Sequence, residues 1–383
     1  MPAGLAMLGA MTADHRFMEL ALRLARAGLG TCAPNPSVGA VIVRGAGEAA
    51  CVVARGRTQP GGRPHAESQA IAQAGAQTHG ATLYVTLEPC AHHGRTPPCC
   101  EAVIAAGIKR VVVAVRDPDI RVSGQGIAAM ESAGIHVDVG VGAEAAAWVN
   151  AGHVLRVTQA RPFVQLKIAA SADGRIARGT GKPRWVTGPN ARARGHLLRA
   201  TSDAIVVGRA TLQADDPQLN CRLPGLSQHS PLPAVLDSMA QTSSSAALLD
   251  AARSPLIVCS HKALPLDCER LQAAGAEILV VEGARDGGVD LPAFLAGLSQ
   301  RGITRLLVEG GPTLWQAFLA AGLVDEVVVF RGREDLGSEG IPALSGQNLQ
   351  QFSAEQGWNT VERRSVGCDV MTIYRPSDRA SML

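Results

Sequence analysis

The chain has 383 residues, 46% of them hydrophobic, enough for two domains that each bury a core. A formal net charge of +3 with no polybasic tail argues against a nucleic-acid or membrane surface, and 3% aromatics argue against stacking platforms for single strands. Nine cysteines, an odd number in no regular framework, suit a reducing compartment, so a cytoplasmic protein without disulfides is expected.

No apolar run approaches membrane-spanning length, and Met1 to Met11 lacks the positive start and cleavage site of a secretory signal. From Asp14 to Ala27, the residues Phe17, Leu20, Ala21, Leu24 and Ala25 recur at helical spacing, with Asp14 as the expected cap. Pro34-Asn35-Pro36 ends that helix, and Ala40 to Val43 reads as a buried strand. Asn35 reads either as a turn residue or as an amide that contacts a ring edge, and spacing leaves both open.

After Gly61-Gly62, Pro64 opens a helix predicted over His65 to Ala76. His65 and Glu67 are two residues apart, roughly 200° around a helix, so they converge only on something near its axis at the N-terminal end, as a metal would be. Ala81 to Leu87 alternates like a strand and delivers Glu88-Pro89-Cys90, and Cys99-Cys100-Glu101 opens a second helix that Gly107 ends. H-x-E followed by P-C-x-x-C is the signature of zinc nucleobase deaminases, with His and two Cys as ligands and the Glu as general acid and base. Three protein ligands leave the fourth tetrahedral position open, as catalysis requires. Alone, His65 would more often be a solvated residue; the cysteines at helix N-termini, where thiolates are favoured, reverse that weighting. Adjacent cysteines cannot both ligate comfortably, so Cys99 is expected as the ligand and Cys100 to pack. The polar loop from Ala91 to Pro98 must border the substrate, and His92 and His93 are assigned to substrate contact or loop packing. A strand over Arg110 to Val115, a turn at Asp117-Pro118-Asp119, a helix to Ala133 and a strand over Ile135 to Val139 complete an α/β sandwich.

Pro34-Asn35-Pro36-Ser37-Val38-Gly39, Pro64-His65-Ala66-Glu67 and the run from Thr86 to Cys100 (TLEPCAHHGRTPPCC) resemble the deaminase half of the bifunctional riboflavin-biosynthesis deaminase/reductases. The lengthened loop between Cys90 and Cys99 separates that family from cytidine and tRNA-adenosine deaminases. The resemblance implies a cytidine-deaminase-like α/β/α sandwich in which His65, Cys90 and Cys99 hold one zinc, Glu67 shuttles a proton and Asn35 contacts the pyrimidine. Ala33, Thr58 and Asp119 mark departures, at or near positions where the family commonly has His, His and Asn.

Asn150 to Ala160 reads as a transition out of an Ala-rich helix, with a boundary at Arg161-Pro162-Phe163 and domains over 1–152 and 160–376. Strands are predicted over Phe163–Ala169, Ala204–Val207, Ala234–Leu236, Leu256–Cys259, Glu277–Val281, Leu306–Glu309, Val324–Phe330 and Met371–Tyr374. The loop from Gly179 to Trp185 is polar. In the basic helix from Asn190 to Ala200, Arg192 and Arg199 share a face while Arg194 and His196 are expected to look elsewhere. Glu309-Gly310-Gly311-Pro312-Thr313-Leu314 is a strand-to-helix turn whose backbone N–H groups can approach a pyrophosphate. There is no G-x-G-x-x-G, so a Rossmann site is excluded.

Lys167 to Arg175 (KIAASADGR) is similar to the K-x-x-x-S-L-D-G-R of the same family's reductase half, apart from Ala172, and Ala210 to Arg222 resembles its A-T-V-x-x-D-D-P-x-L-x-x-R run. That resemblance implies a dihydrofolate-reductase-like α/β domain using NADPH. Lys167 and Asp215 become the candidates for polarising the substrate and donating a proton. Ala169, Trp185, Thr211, Asp215, Ser238, Gly311, Pro312 and Thr313 are placed toward the cofactor. Arg199, Leu219, Arg222 and Glu309 are placed toward the substrate, where Arg suits phosphate because its planar fork binds two oxygens. Pro183, and Glu334 within the charged run 331–337, depart from the family pattern. The expected reactions are hydrolysis of the 2-amino group of a phosphorylated diaminopyrimidinone ribosylamine, then reduction of its ribosyl group to ribityl. A homo-oligomer, dimer or tetramer, is expected, with no nucleic-acid or membrane partner. Two competing readings are a nucleic-acid base deaminase and a zinc protein with one silent half.

Overall fold

The computed structural model describes residues 12–94, 96–119, 122–176, 185–250, 252–284, 287–344, 349, 352, 354 and 357–378. The chain divides into two units, 1–159 and 160–382. Among the described residues no helix is long and apolar enough to cross a membrane.

The first unit is a five-stranded sheet ordered β2-β1-β3-β4-β5, formed by β1 (Gly39–Arg44), β2 (Cys51–Arg57), β3 (Thr82–Val85), β4 (Arg110–Val113) and β5 (His136–Val139). β1 is antiparallel to β2 and β3, whereas β3, β4 and β5 run parallel. Strand alternation assigns the faces. Ala40, Ile42, Leu83, Val85, Val111 and Val113 point to one core, and Val41, Val43, Tyr84 and Val112 point to another. The first core is covered by α2 (Ala66–Ala74), α3 (Cys99–Ala105) and α4 (Gln125–Ser132); the second by α1 (Ala13–Arg26) and α5 (Ala143–Val149). From α1, Phe17, Met18, Ala21, Leu22 and Ala25 are buried, each large side chain contributing about 1.5–3 kcal/mol.

Three expectations change in this unit. Thr12, rather than Asp14, caps α1, because its hydroxyl accepts from the His15 N–H. Asp14 instead binds both terminal nitrogens of Arg110, at 2.9 and 2.8 Å, and accepts from the Tyr84 hydroxyl at 2.6 Å. β2 was not anticipated, since an edge strand with one half-solvated face (CVVARGR) lacks a clean apolar alternation. The supposed transition from Asn150 to Ala160 is a further helix, α6 (Ala151–Gln159), which buries Ala151, Val154 and Leu155.

The second unit is built on a nine-stranded sheet ordered β11-β10-β9-β8-β12-β6-β13-β16-β15. Its strands are β6 (Phe163–Ala170), β8 (Ala204–Gly208), β9 (Leu232–Leu236), β10 (Leu256–Ser260), β11 (Glu277–Val281), β12 (Arg305–Glu309), β13 (Glu326–Arg331), β15 (Trp358–Val366) and β16 (Asp369–Pro376). A short pair, β7 (Arg175–Ile176) with β14 (Ile341–Pro342), stands apart. The strands from β11 to β13 are parallel; β16 and β15 are antiparallel additions. One face packs on α10 (Leu291–Gln300) and α11 (Pro312–Ala320) through Phe294, Leu298, Trp315 and Phe318. The other carries α7 (Pro189–Ala200), α8 (Arg209–Asp215) and α9 (Pro265–Ala273). Helices α8, α9 and α10 and strand β15 were not read from the sequence. β15 is largely exposed, with Arg and Glu along it, so its composition hides its pairing.

Candidate functional sites

His65 is the N-cap of α2 and Cys99 the first residue of α3, while Cys90 lies in the loop after β3. His65 Nδ1 lies 3.2 Å from Cys99 Sγ and 3.7 Å from Cys90 Sγ, and the three ligand atoms lie within 4.8 Å of one another. A tetrahedral zinc bound by S and N donors separates such atoms by about 3.5–3.8 Å, so the two His65–sulfur separations match zinc to within a few tenths of an ångström, and the N and S donor types are those zinc takes. Cys100 instead packs in the core between sheet and helices.

The electrostatics come from helix ends. The Cys99 N–H donates to Cys90 Sγ at 3.3 Å, and the Cys100 N–H donates to the Cys90 carbonyl at 3.2 Å. Hydrogen bonding from the Cys99 thiol, then from His65 and the Cys99 backbone, holds the Cys90 thiol down at about 4 despite its burial. Glu67, in the first turn of α2, is 3% exposed, and burial pushes its carboxyl up to about 7.

The Asn35 amide nitrogen donates to the Gly62 carbonyl at 2.8 Å and lies 3.5 Å from His65 Nε2, on the side of the ring away from the sulfurs. A Cβ at Gly62 would stand 2.7 Å from the Asn35 side chain, and Gly62 has φ +86°, so only glycine leaves room for the amide. His93 Nε2 lies 3.3 Å from Glu101, and His92 is half-buried with no partner for Nδ1 among the described residues.

Sequence reasoning gave no role to Glu88. It is buried, and its two carboxylate oxygens accept the backbone N–H groups of Asp117, Gly124, Gly126 and Ile127 at 3.0–3.3 Å. This carboxylate ties the Cys90 segment to the turn before α4. The signal was its place next to Pro89-Cys90, where an apolar strand end would otherwise be expected. Thr58 is likewise structural: its hydroxyl donates to the Pro36 carbonyl at 3.0 Å and accepts the Val38 N–H at 2.9 Å. Asp119 is buried and its N–H donates to Asp117 Oδ1.

In the second unit, alternation along β6 and β12 turns Lys167 and Glu309 to the face that carries α7, and the two are register partners. Lys167 Nζ lies 3.9 Å from Glu309. Arg199, on α7, grips both Glu309 oxygens at 2.9 and 2.8 Å and donates to the Asn220 carbonyl at 3.0 Å. Burial raises the Glu309 carboxyl, but the Arg199 and Lys167 charges outweigh it and hold the group at about 2. Arg199 and Glu309, both expected to face substrate, are therefore bound to each other.

Gly311 caps α11 without any side-chain capping bond, and a Cβ there would stand 3.6 Å from Thr211 Oγ1, so α8 and the Gly310-Gly311 turn adjoin. Pro312 and Thr313 open the helix. Together with Ala169 near the end of β6 and Ser238 just past β9, these residues lie at the C-terminal ends of parallel strands, where open α/β sheets bind ligands. The turn has a side-chain-free cradle and an uncapped helix start, so it fits a pyrophosphate group.

The structure adds detail at four of these positions. The Leu219 side chain is 2% exposed and sits in the core, so only its backbone, at φ +55°, can face a ligand. Trp185 is 67% exposed and lies under the Arg192 guanidinium, 4.8 Å from its ring centroid. Asp215 is the exposed last residue of α8, its carboxyl raised by partial desolvation. His196, four residues after Arg192 and three before Arg199, shares their face rather than looking elsewhere, which helical spacing could have revealed. Asp173 accepts the Leu336 and Gly337 N–H groups, and the Glu334 carbonyl accepts from Ala172, which anchors the charged 331–337 run. Pro183 lies outside the described residues.

Residues 11–115 match the cytidine and deoxycytidylate deaminase zinc-binding region, and residues 162–372 match the RibD C-terminal domain. The chain is 40% identical to the riboflavin biosynthesis protein RibD of Aquifex aeolicus over 94% of its own length and 98% of the relative's. It is 38% identical to that of Escherichia coli, over 93% and 98% respectively. Among solved structures, RibD of Acinetobacter baumannii aligns at TM-score 0.82 and 34% identity, covering 95% of this chain and 98% of that one. The diaminohydroxyphosphoribosylaminopyrimidine deaminase/5-amino-6-(5-phosphoribosylamino)uracil reductase of Thermotoga maritima aligns at 0.81 and 32% identity, with the same coverage. A zinc-type deaminase site and a reductase unit on one chain, matched over most of its length by these relatives, mean that the chain belongs to the RibD family, the bifunctional deaminase–reductases of riboflavin biosynthesis.

Proposed function

We propose that residues 1–152 remove the 2-amino group of 2,5-diamino-6-(5-phosphoribosylamino)pyrimidin-4(3H)-one, and that residues 160–376 then reduce the ribosyl chain to ribityl with NADPH. The observation that carries the reading is the His65–Cys90–Cys99 cluster with the buried Glu67 on the adjoining turn.

His65, Cys90 and Cys99 hold zinc, which when bound supplies the Lewis acidity that makes water a nucleophile near neutral pH. Glu67 takes the proton of the attacking water and hands it to the departing ammonia. The Asn35 amide, fixed by the Gly62 carbonyl, holds the edge of the ring beside His65.

In the second unit Gly311, Pro312, Thr313 and Thr211 receive NADPH at the uncapped start of α11, with Ala169 and Ser238 at neighbouring strand ends and the exposed Trp185 as a further cofactor contact. NADPH when bound supplies the hydride. Lys167, beside Glu309, polarises the first sugar carbon in its ring-opened form, and Asp215 supplies the proton. Glu309 and Arg199 form a fixed charged floor next to the substrate. Arg222, exposed, meets its phosphate, and the Leu219 backbone lines the approach. The protein acts on a small phosphorylated molecule in the cytoplasm, as a homo-oligomer.

A coupled assay tests this. Given the diaminopyrimidine substrate, zinc and NADPH, the chain releases one ammonia for each NADPH oxidised, and withholding NADPH leaves ammonia release intact. NADPH oxidation with no ammonia, or ammonia with no subsequent oxidation, overturns the corresponding half.

A further inference from the structure

The segment from Asn220 to Arg222 is tied to one turn of α7 at each of its residues. The Asn220 carbonyl accepts from Arg199 Nη1 at 3.0 Å, Cys221 Sγ donates to the His196 carbonyl at 3.4 Å, and the Arg222 N–H donates to His196 Nδ1 at 3.3 Å. The Arg222 side chain is exposed and its Nη1 donates to Asn220 Oδ1 at 3.3 Å, so the guanidinium is held within the same three-residue segment that α7 fixes. The Arg222 backbone is gripped by the His196 ring.

A ring that accepts at Nδ1 carries its proton on Nε2 and is neutral. Its surroundings favour that form. Burial comes first, then the Arg199 and Arg222 charges, which together lower the imidazole below its ordinary range against the opposing pull of Glu309 and the Asn220 carbonyl. Arg199 is itself locked to Glu309, so the turn of α7 that carries both gripping residues is anchored to β12.

We infer that His196 is a positioning residue of the reductase site, which fixes the Arg222 backbone through Nδ1 and so aims the Arg222 guanidinium at the anionic group of the substrate. The inference rests on the proposed role of Arg222 as a substrate-binding residue. Protonation of His196 replaces the acceptor with a donor facing another donor and loosens the segment. The charged and titratable groups facing the ring are Arg199, Arg222 and Glu309.

The test uses the full zinc-loaded chain and steady-state reduction of the deaminated substrate by NADPH. His196→Ala raises the substrate KM about tenfold, as expected for one lost hydrogen bond that orders a charged side chain, with a smaller change in kcat. His196→Asn restores most of the loss because its Oδ1 stands where Nδ1 was, and His196→Gln, whose acceptor lies farther out, does not. In the parent the substrate KM rises as the pH falls below the ordinary imidazole range, and in His196→Asn that rise is absent. Arg222→Ala raises the substrate KM at least as much. A parent-like KM for His196→Ala beside a raised KM for Arg222→Ala overturns the inference alone, as does equal behaviour of the Asn and Gln variants. A parent-like KM for Arg222→Ala overturns the role of Arg222 and the inference with it.

Discussion

In the first unit the metal donors of the proposed site and Glu67 lie on three short segments, and the donor atoms of His65, Cys90 and Cys99 gather within 4.8 Å beside the starts of two helices. In the second unit they are distributed over the ends of β6, β9 and β12, over α7 and α8 and at the start of α11, and three of the charges among them are already paired as Lys167–Glu309–Arg199. A metal concentrates the chemistry at one point, so a few ligands at fixed distances are sufficient. A diffusible cofactor brings its own chemistry and needs an extended surface to orient it, so no single residue of the second unit has the standing of Glu67. One site is therefore expected to fail abruptly when a group is lost, and the other by degrees.

The largest expected effect is at Glu67. Glu67→Gln lowers the rate of ammonia release about 10²–10⁴-fold while zinc stays bound and NADPH-dependent reduction of deaminated substrate continues. Metal analysis beside the two assays checks it; ammonia release at the parent rate would remove the contrast between the units.

Next comes the ion cluster of the second unit. Glu309→Gln leaves Arg199 buried with an uncharged partner, and breaking such a pair costs about 3–5 kcal/mol. The expected result is lower stability of the second unit in urea, with reductase activity reduced yet measurable. Complete loss of reduction in a folded variant would assign Glu309 a share in the chemistry and narrow the contrast.

A smaller effect separates the units by pH. Glu309 is held at about 2 in the folded chain against an ordinary 4.5, a depressed carboxylate. Its contribution is fully present above the ordinary value and is lost as pH falls from there through about 2, a total on the order of 3 kcal/mol. Urea unfolding followed from neutral to acid pH gives a steeper loss for the parent than for Glu309→Gln. Parallel curves would mean that the carboxylate is not held down by Arg199 and Lys167.

Much of this was legible before folding. The motif P-H-A-E with Cys90 and Cys99 named the three side chains that the fold gathers into a candidate metal site, because metal chemistry demands residue types at positions that local helix starts can supply. The strands of the parallel sheet were readable for the same reason that they are buried: apolar on both faces, they appear as short runs of Val, Ile and Leu. Helices α9 and α10 escaped because neither carries a strong apolar stripe between polar faces, and β15 because it is an edge with charged side chains.

Sequence by itself determined the two-part character of the chain and the families of reaction, and it named the candidate metal donors and the candidate proton carrier, since these follow from residue identity and short spacing. Only the tertiary structure decided which groups are spent on one another. Arg199 and Glu309 are 110 positions apart, Glu88 meets backbone N–H groups up to 39 positions away, and His196 reaches across 26 to Arg222. Those pairings depend on strand register and helix placement, and burial then fixes their charge states, so no local pattern could encode them.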